Sequence, residues 1–131
     1  SNGQIRIPWT SCGRVLWNRK WWISLMPPKP GEVWLADLGL AAKIRPVIIV
    51  SRHDPDAPLA LITYIPITTQ RRFSPYEVEL PRLSFLDKKS VVNVQGLGSA
   101  PTTRLERKIG EIPKNVMAEV KKAISFALDL E

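Results

Sequence analysis

The chain has one cysteine, Cys12, and one histidine, His53, in 131 residues. A lone thiol forms no intramolecular disulfide, and one imidazole with one thiol makes no cysteine-rich zinc site, so the composition suits a reducing, cytoplasmic setting. Asp54 and Asp56 flank Pro55 and lack the glycine turn of a calcium loop, so His53 to Pro58 reads as a surface turn between strands. No metal and no cofactor is expected. Long apolar runs are missing too: none approaches the ~18 residues that a membrane-crossing helix needs.

Acids are absent from the first thirty-one residues, and that absence explains most of the net charge. Of the +7, five charges come from Arg6, Arg14, Arg19, Lys20 and Lys29, ahead of the first acid, Glu32, which leaves +2 for the remainder. A nucleic-acid partner would therefore meet a local groove and a modest salt dependence, not a wholly basic surface. The length supports one core, since a chain of this size buries roughly two-thirds of its unfolded surface. Residues 1–25 read as an N-terminal extension and 26–131 as the folded domain. Ser1-Asn2 resembles a cloning scar, and Met26-Pro27-Pro28-Lys29-Pro30 resembles a natural start. Trp9, Trp17, Trp21 and Trp22 interleave with Arg14, Arg19 and Lys20, a composition that also suits a stacking RNA platform or an interfacial segment.

Strand signals dominate after Pro30. Short runs rich in Val and Ile, bounded by Gly, Pro or charged turns, predict strands over Glu32 to Leu38, Arg45 to Ser51, Leu59 to Ile67, Tyr76 to Leu80, Ser90 to Gln95 and Glu106 to Ile109. Val116, Val120, Ala123, Ile124, Ala127 and Leu128 recur at helical spacing, with Pro113 at a first-turn position, which predicts one terminal amphipathic helix. Short antiparallel strands with a single helix indicate a mainly β (α+β) fold, a small and strongly curved barrel.

The chemistry is carried by two strand ends. Arg45 heads the run Arg45-Pro46-Val47-Ile48-Ile49-Val50-Ser51, and a second apolar run ends in Thr68, Thr69 and Gln70. A guanidinium forks two charge-assisted hydrogen bonds to a phosphate, and a hydroxyl adds a neutral donor. The pair points to phosphodiester chemistry or phosphate binding. Lys43, Thr69, Gln70, Arg71 and Gln95 are candidate RNA contacts, each also explicable as solvated surface. Arg45 alternatively pairs with Asp37 or Glu32, and Thr68 and Thr69 alternatively close a hairpin.

The ordered set Gly31-Glu32-Val33-Trp34-Leu35-Ala36-Asp37-Leu38, then Arg45-Pro46-Val47, then Pro66-Ile67-Thr68-Thr69-Gln70, then Arg104-Leu105 and a terminal helix resembles the MazF/PemK (Kid-like) toxins of type II toxin-antitoxin modules over residues 30–130. The resemblance implies an SH3-like barrel of the CcdB/Kid/MazF type. It also implies a homodimeric endoribonuclease, an mRNA interferase that cleaves single-stranded RNA without metal by attack of the ribose hydroxyl on the phosphodiester. Arg45 and Thr68 match the catalytic arginine and threonine. The implied partners are an RNA substrate, a cognate antitoxin and, only as a toxin-antitoxin complex, operator DNA; no membrane is involved. Two departures stand out. The connection Gly39-Leu40-Ala41-Ala42-Lys43-Ile44 carries no acid where relatives often have one, and the stretch Val91 to Ser99 lacks the acid that relatives commonly have next to the glutamine, here Gln95, and has Leu97 in place of their cation. The general base is unassigned, with Asp37 and His53 the titratable candidates. Alternatives are an inactive homologue acting as an antitoxin-bound co-repressor and a non-catalytic SH3-like RNA-binding module.

Overall fold

The computed structural model describes residues 27–39 and 44–130; the tryptophan-rich extension and Lys43 lie outside the described residues. Among the described residues seven strands and one α-helix follow in order: β1 (Glu32–Asp37), β2 (Ile44–Ile49), β3 (Leu61–Thr68), β4 (Glu77–Glu79), β5 (Val91–Asn93), β6 (Gly98–Pro101), β7 (Leu105–Glu111) and α1 (Lys114–Ala127). All pairings are antiparallel. The sheet runs β4-β5-β3-β2-β1-β7, and β6 lies beside the first half of β3.

β2 and β3 read as near-continuous apolar runs because both of their faces are covered. On one face Val33, Ile48 and Ile65 stand in a row across β1, β2 and β3 and pack with Val116, Met117 and Val120 of α1. On the other face Trp34, Val47 and Ile49 join Ile62, Ala100 and Leu105. Curvature comes from β7. Its register against β1 skips one residue between Gly110 and Lys108 and another between Arg107 and Leu105, which makes bulges at Ile109 and Glu106. An extra residue on one strand bends it and raises the local twist, so the sheet curls into an open barrel.

Local chemistry sets the ends of the elements. Gly39 sits at φ 78 and closes β1, with its N–H donating to Asp37 Oδ1 at 3.0 Å. A side chain at that backbone conformation is disfavoured, so glycine suits the turn. Pro113 is the N-cap of α1 at φ −61, one residue ahead of the first-turn position read from the sequence. The helix ends in a Schellman arrangement: Asp129, at φ 55, donates to the Phe126 carbonyl, and Leu130 donates to that of Ser125. Of the expected helix core, Val116, Val120 and Ala123 are buried, Met117 joins them, and Leu128 is exposed as the C-cap.

Three expectations shift. The strand expected over Ser90 to Gln95 stops at Asn93, whose side chain accepts from the Gln95 N–H and caps a 3-10 turn over Val94–Gly96. β7 is longer than the Glu106 to Ile109 segment expected. β6 was not legible, because Gly98-Ser99-Ala100-Pro101 has neither β-branched residues nor alternation; pairing with Leu61–Tyr64 of β3 makes it a strand. Gly98 leaves room for the Tyr64 ring, since a Cβ there would stand 2.9 Å from its hydroxyl oxygen and displace it.

Candidate active site

Arg45 is the second residue of β2 and is exposed, whereas the strand is buried from Val47 onward. Val47 pairs with Pro66 and Ile48 with Ile65. The pairing of β2 with β3 stops two residues short of Arg45 and Thr68, and both residues line one pocket at these strand ends. On the other side Arg45 pairs with Ala36, whose methyl leaves room around the guanidinium. The alternative carboxylate partners of Arg45 are engaged elsewhere. Asp37 accepts from Gly39, while Glu32 accepts from Trp34 Nε1 at 2.9 Å and faces Lys108 Nζ at 3.4 Å. Thr68 does not close a tight hairpin: β3 ends there, and an eight-residue connection leads to β4, which pairs with β5. Its Oγ1 accepts from the Gln70 N–H at 3.1 Å, so its hydroxyl hydrogen is available to donate to a ligand.

An open pocket of about 420 Å³ lies at this end of the sheet. That volume is within the roughly 300–1,000 Å³ typical of ligand pockets. Leu35, Pro46, Ile67, Phe85 and Ile109 supply its apolar part; Arg45, Thr68 and Thr69 line it from the strand ends. The β4–β5 connection completes it with Asp87, Lys88 and Ser90. These three were missed in the sequence, where Asp87 and Lys88 fall between two predicted strands and Ser90 opens the second. The signal is topological: Val91 pairs with Thr68, so the residue before Val91 necessarily arrives beside the end of β3. Ser90 is buried there and donates to the Lys88 carbonyl at 2.9 Å, which fixes the loop against the strand.

The remaining sequence candidates spread outward. Gln70 is exposed and its amide oxygen accepts from Arg72 Nη2 at 3.2 Å. Arg71 stands 3.4 Å from Glu79 and 5.4 Å over the ring of Phe73, which is 80% exposed at φ 54. Gln95 lies exposed in the 3-10 turn and does not line the pocket. Neither Asp37 nor His53 lines it either. His53 Nδ1 is 3.0 Å from the Pro27 carbonyl oxygen, beyond the far end of β2. Arg45 to Ile49 alone spans about 13 Å of strand. Lys108 bridges two carboxylates, Glu111 at 2.8 Å and Glu32 at 3.4 Å. The hydrogen bond from Lys108 holds Glu111 below its ordinary 4.5 and in turn holds Lys108 above 10.5.

The chain is thus a curved antiparallel sheet with a terminal helix, and an arginine and a threonine line one pocket at neighbouring strand ends. Residues 29–128 match the family described as PemK-like, MazF-like toxin of type II toxin-antitoxin system, and the chain belongs to that family. Among curated relatives it is similar to Endoribonuclease MazF2 of Mycobacterium bovis and Endoribonuclease MazF6 of Mycobacterium tuberculosis. Each is 33% identical over 108 residues, covering 76% of this chain and 95% of the relative. Among solved structures it is similar to a mycobacterial endoribonuclease in complex with its cognate antitoxin, with 27% identity, a TM-score of 0.70, and coverage of 79% of this chain and 97% of that one. It is also similar to the Mycobacterium tuberculosis toxin MazF-mt6, at 31% identity and a TM-score of 0.68, over 76% of this chain and 98% of that one. The mainly β, barrel-like fold with a C-terminal helix inferred from the sequence agrees with these structures, with the sheet left open.

Proposed function

We propose that this chain is the toxin of a toxin-antitoxin pair and an endoribonuclease that cuts single-stranded RNA at the Arg45–Thr68 site. The observation that carries this reading is that an arginine and a threonine line one pocket at neighbouring strand ends, in a chain of the MazF-like family. In the reaction the ribose 2′-hydroxyl attacks the adjacent phosphorus and the 5′ oxygen departs, leaving a 2′,3′-cyclic phosphate and a 5′-hydroxyl. Negative charge builds on the non-bridging oxygens as phosphorus becomes five-coordinate. Arg45 neutralises that charge with two parallel N–H donors, and Thr68 orients one oxygen. Donors fixed on strands cost no rearrangement as the charge develops, so no metal is needed for this role.

The protein acts as a cytoplasmic homodimer whose RNA groove is shared with a tail of the cognate antitoxin, so RNA and antitoxin compete. Operator DNA is bound only as the toxin-antitoxin complex. Thr69, Gln70 and Arg71 continue from Thr68 along one loop and hold the RNA backbone beyond the scissile phosphate, and Lys43 and Gln95 add contacts to it. Base choice follows from the shape of these loops around unstacked bases.

The test is a digest of long single-stranded RNA by the full chain in excess chelator, with the termini of the products identified. Discrete fragments ending in 2′,3′-cyclic phosphate and 5′-hydroxyl are expected. RNA left intact across a broad set of sequences refutes the nuclease reading and assigns the fold to antitoxin-bound repression.

A further inference from the structure

The reaction needs a group to take the proton from the 2′-hydroxyl, and neither sequence candidate is placed for it. Asp37 is turned to the Gly39 N–H, and His53 lies beyond the opposite end of the β2–β3 hairpin. The connection before Arg45 contains no acid. Other carboxylates are occupied at a distance: Glu32 and Glu111 hold Lys108, Glu79 faces Arg71, and both oxygens of Glu77 accept from the Arg72 N–H. One carboxylate does line the pocket with Arg45, Thr68 and Thr69, and it is Asp87. It is exposed and is not tied to another described residue by an ion pair.

We propose that Asp87 is the general base of the cleavage reaction; this rests on the ribonuclease reading above. The β4–β5 connection is built to hold it in place. Leu83, Phe85 and Leu86 pack into the main core, and the Ser90 hydroxyl donates to the Lys88 carbonyl, so Asp87 is flanked by anchored residues on both sides. An ionised carboxylate only accepts hydrogen bonds, which directs the 2′-hydroxyl hydrogen to it. Arg45 and Lys88 line the same pocket and balance the combined negative charge of Asp87 and the phosphodiester. In the step, the 2′-oxygen forms its bond to phosphorus as its proton passes to an Asp87 oxygen. The P–O5′ bond breaks, O5′ takes a proton from water at the open mouth of the pocket, and Asp87 returns its proton to solvent. No oxidant, reductant or further reactant enters. Asp87 thereby supplies locally the carboxylate missing from the two positions at which this chain departs from the family pattern.

The experiment compares the full-length wild type with Asp87→Asn, Asp87→Ala and Asp87→Glu in single-turnover cleavage of one RNA. Affinity is measured separately with the same RNA carrying a 2′-deoxy sugar at the cut site. A loss of about 100-fold or more in rate is expected for Asn and Ala, as for other positioned proton acceptors. Affinity stays within about 2-fold, and Glu recovers part of the rate; a merely structural role would not give that division. A substrate with sulfur as the 5′ leaving atom departs without protonation, so Asp87→Asn stays slow on it. Recovery on that substrate would make Asp87 the acid and overturn the assignment. Equal rates for wild type and Asp87→Asn overturn it while leaving the nuclease reading intact, and a wild type that cuts no RNA overturns both. Thermal melts of all four proteins exclude unfolding as the cause.

Discussion

Gly110 on β7 and Phe85 in the β4–β5 connection occupy the same space. A Cβ built on Gly110 overlaps the ring atoms Cδ2, Cε2 and Cγ of Phe85. The backbone at 110 is not in the left-handed region, so Gly110→Ala introduces a steric conflict without backbone strain. Overpacking by one methyl costs about 1–3 kcal/mol. Replacing a strand-interior glycine with alanine returns roughly 0.5–1 kcal/mol. The net expectation is a loss of about 0.5–2 kcal/mol, measured by urea denaturation. Phe85→Ala removes all three conflicting ring atoms and, at a half-buried site, costs about 2 kcal/mol by itself, roughly half the loss at a fully buried Phe. The two changes together should therefore destabilise less than their sum, by about 1 kcal/mol. Because Phe85 also lines the pocket and precedes Asp87 by two residues, RNA cleavage by the four proteins should follow the same coupling. Additive losses in stability would refute the contact, and additive losses in rate would refute its link to the site.

Ile65 is fully buried between Ile48 of β2 and the helix-side core, so Ile65→Ala should cost about 2–5 kcal/mol and lower the Tm by at least ~8 °C, read by calorimetry. The Lys108–Glu111 pair predicts a two-sided pH profile. Glu111 is held below 4.5, so its contribution is present above that value and is lost as pH falls through the lower folded value. Lys108 is held above 10.5, so its contribution is present below that value and is lost as pH rises through the higher folded one. The urea-midpoint difference between wild type and Glu111→Gln should accordingly be flat from about pH 6 to 9 and shrink on the acid side. A difference that grows toward acid would reverse the sign and sink the assignment.

The parts legible in the sequence are those whose local pattern and tertiary role agree. β2 and β3 announce themselves because both faces are buried, and α1 because Val116, Val120 and Ala123 share one face. β6 stayed hidden because its residues have no strand preference of their own; the free edge of β3 at Leu61–Tyr64 dictates its conformation. The site divides the same way. Arg45 and Thr68 were visible since each ends an apolar strand, and the hairpin between them brings both to one pocket. Asp87 was not visible, since nothing in a charged turn says where it lands. That follows from the pairing of β5 with the end of β3, a contact more than twenty residues apart in sequence. His53 attracted notice as the only histidine, but scarcity says nothing about position, and the hairpin carries it away from the pocket.

The most direct test of the Arg45–Thr68 site is single-turnover RNA cleavage by Arg45→Ala and Thr68→Ala proteins beside the wild type, in excess chelator and with fold confirmed by circular dichroism. Both residues sit at the end of the sheet, clear of its core, so folding should survive the changes. The account predicts a fall of about 100-fold or more for each, because each supplies a preorganised donor to the transition state. Cleavage within a few-fold of wild type by either folded variant would contradict it and place strand scission elsewhere on the barrel.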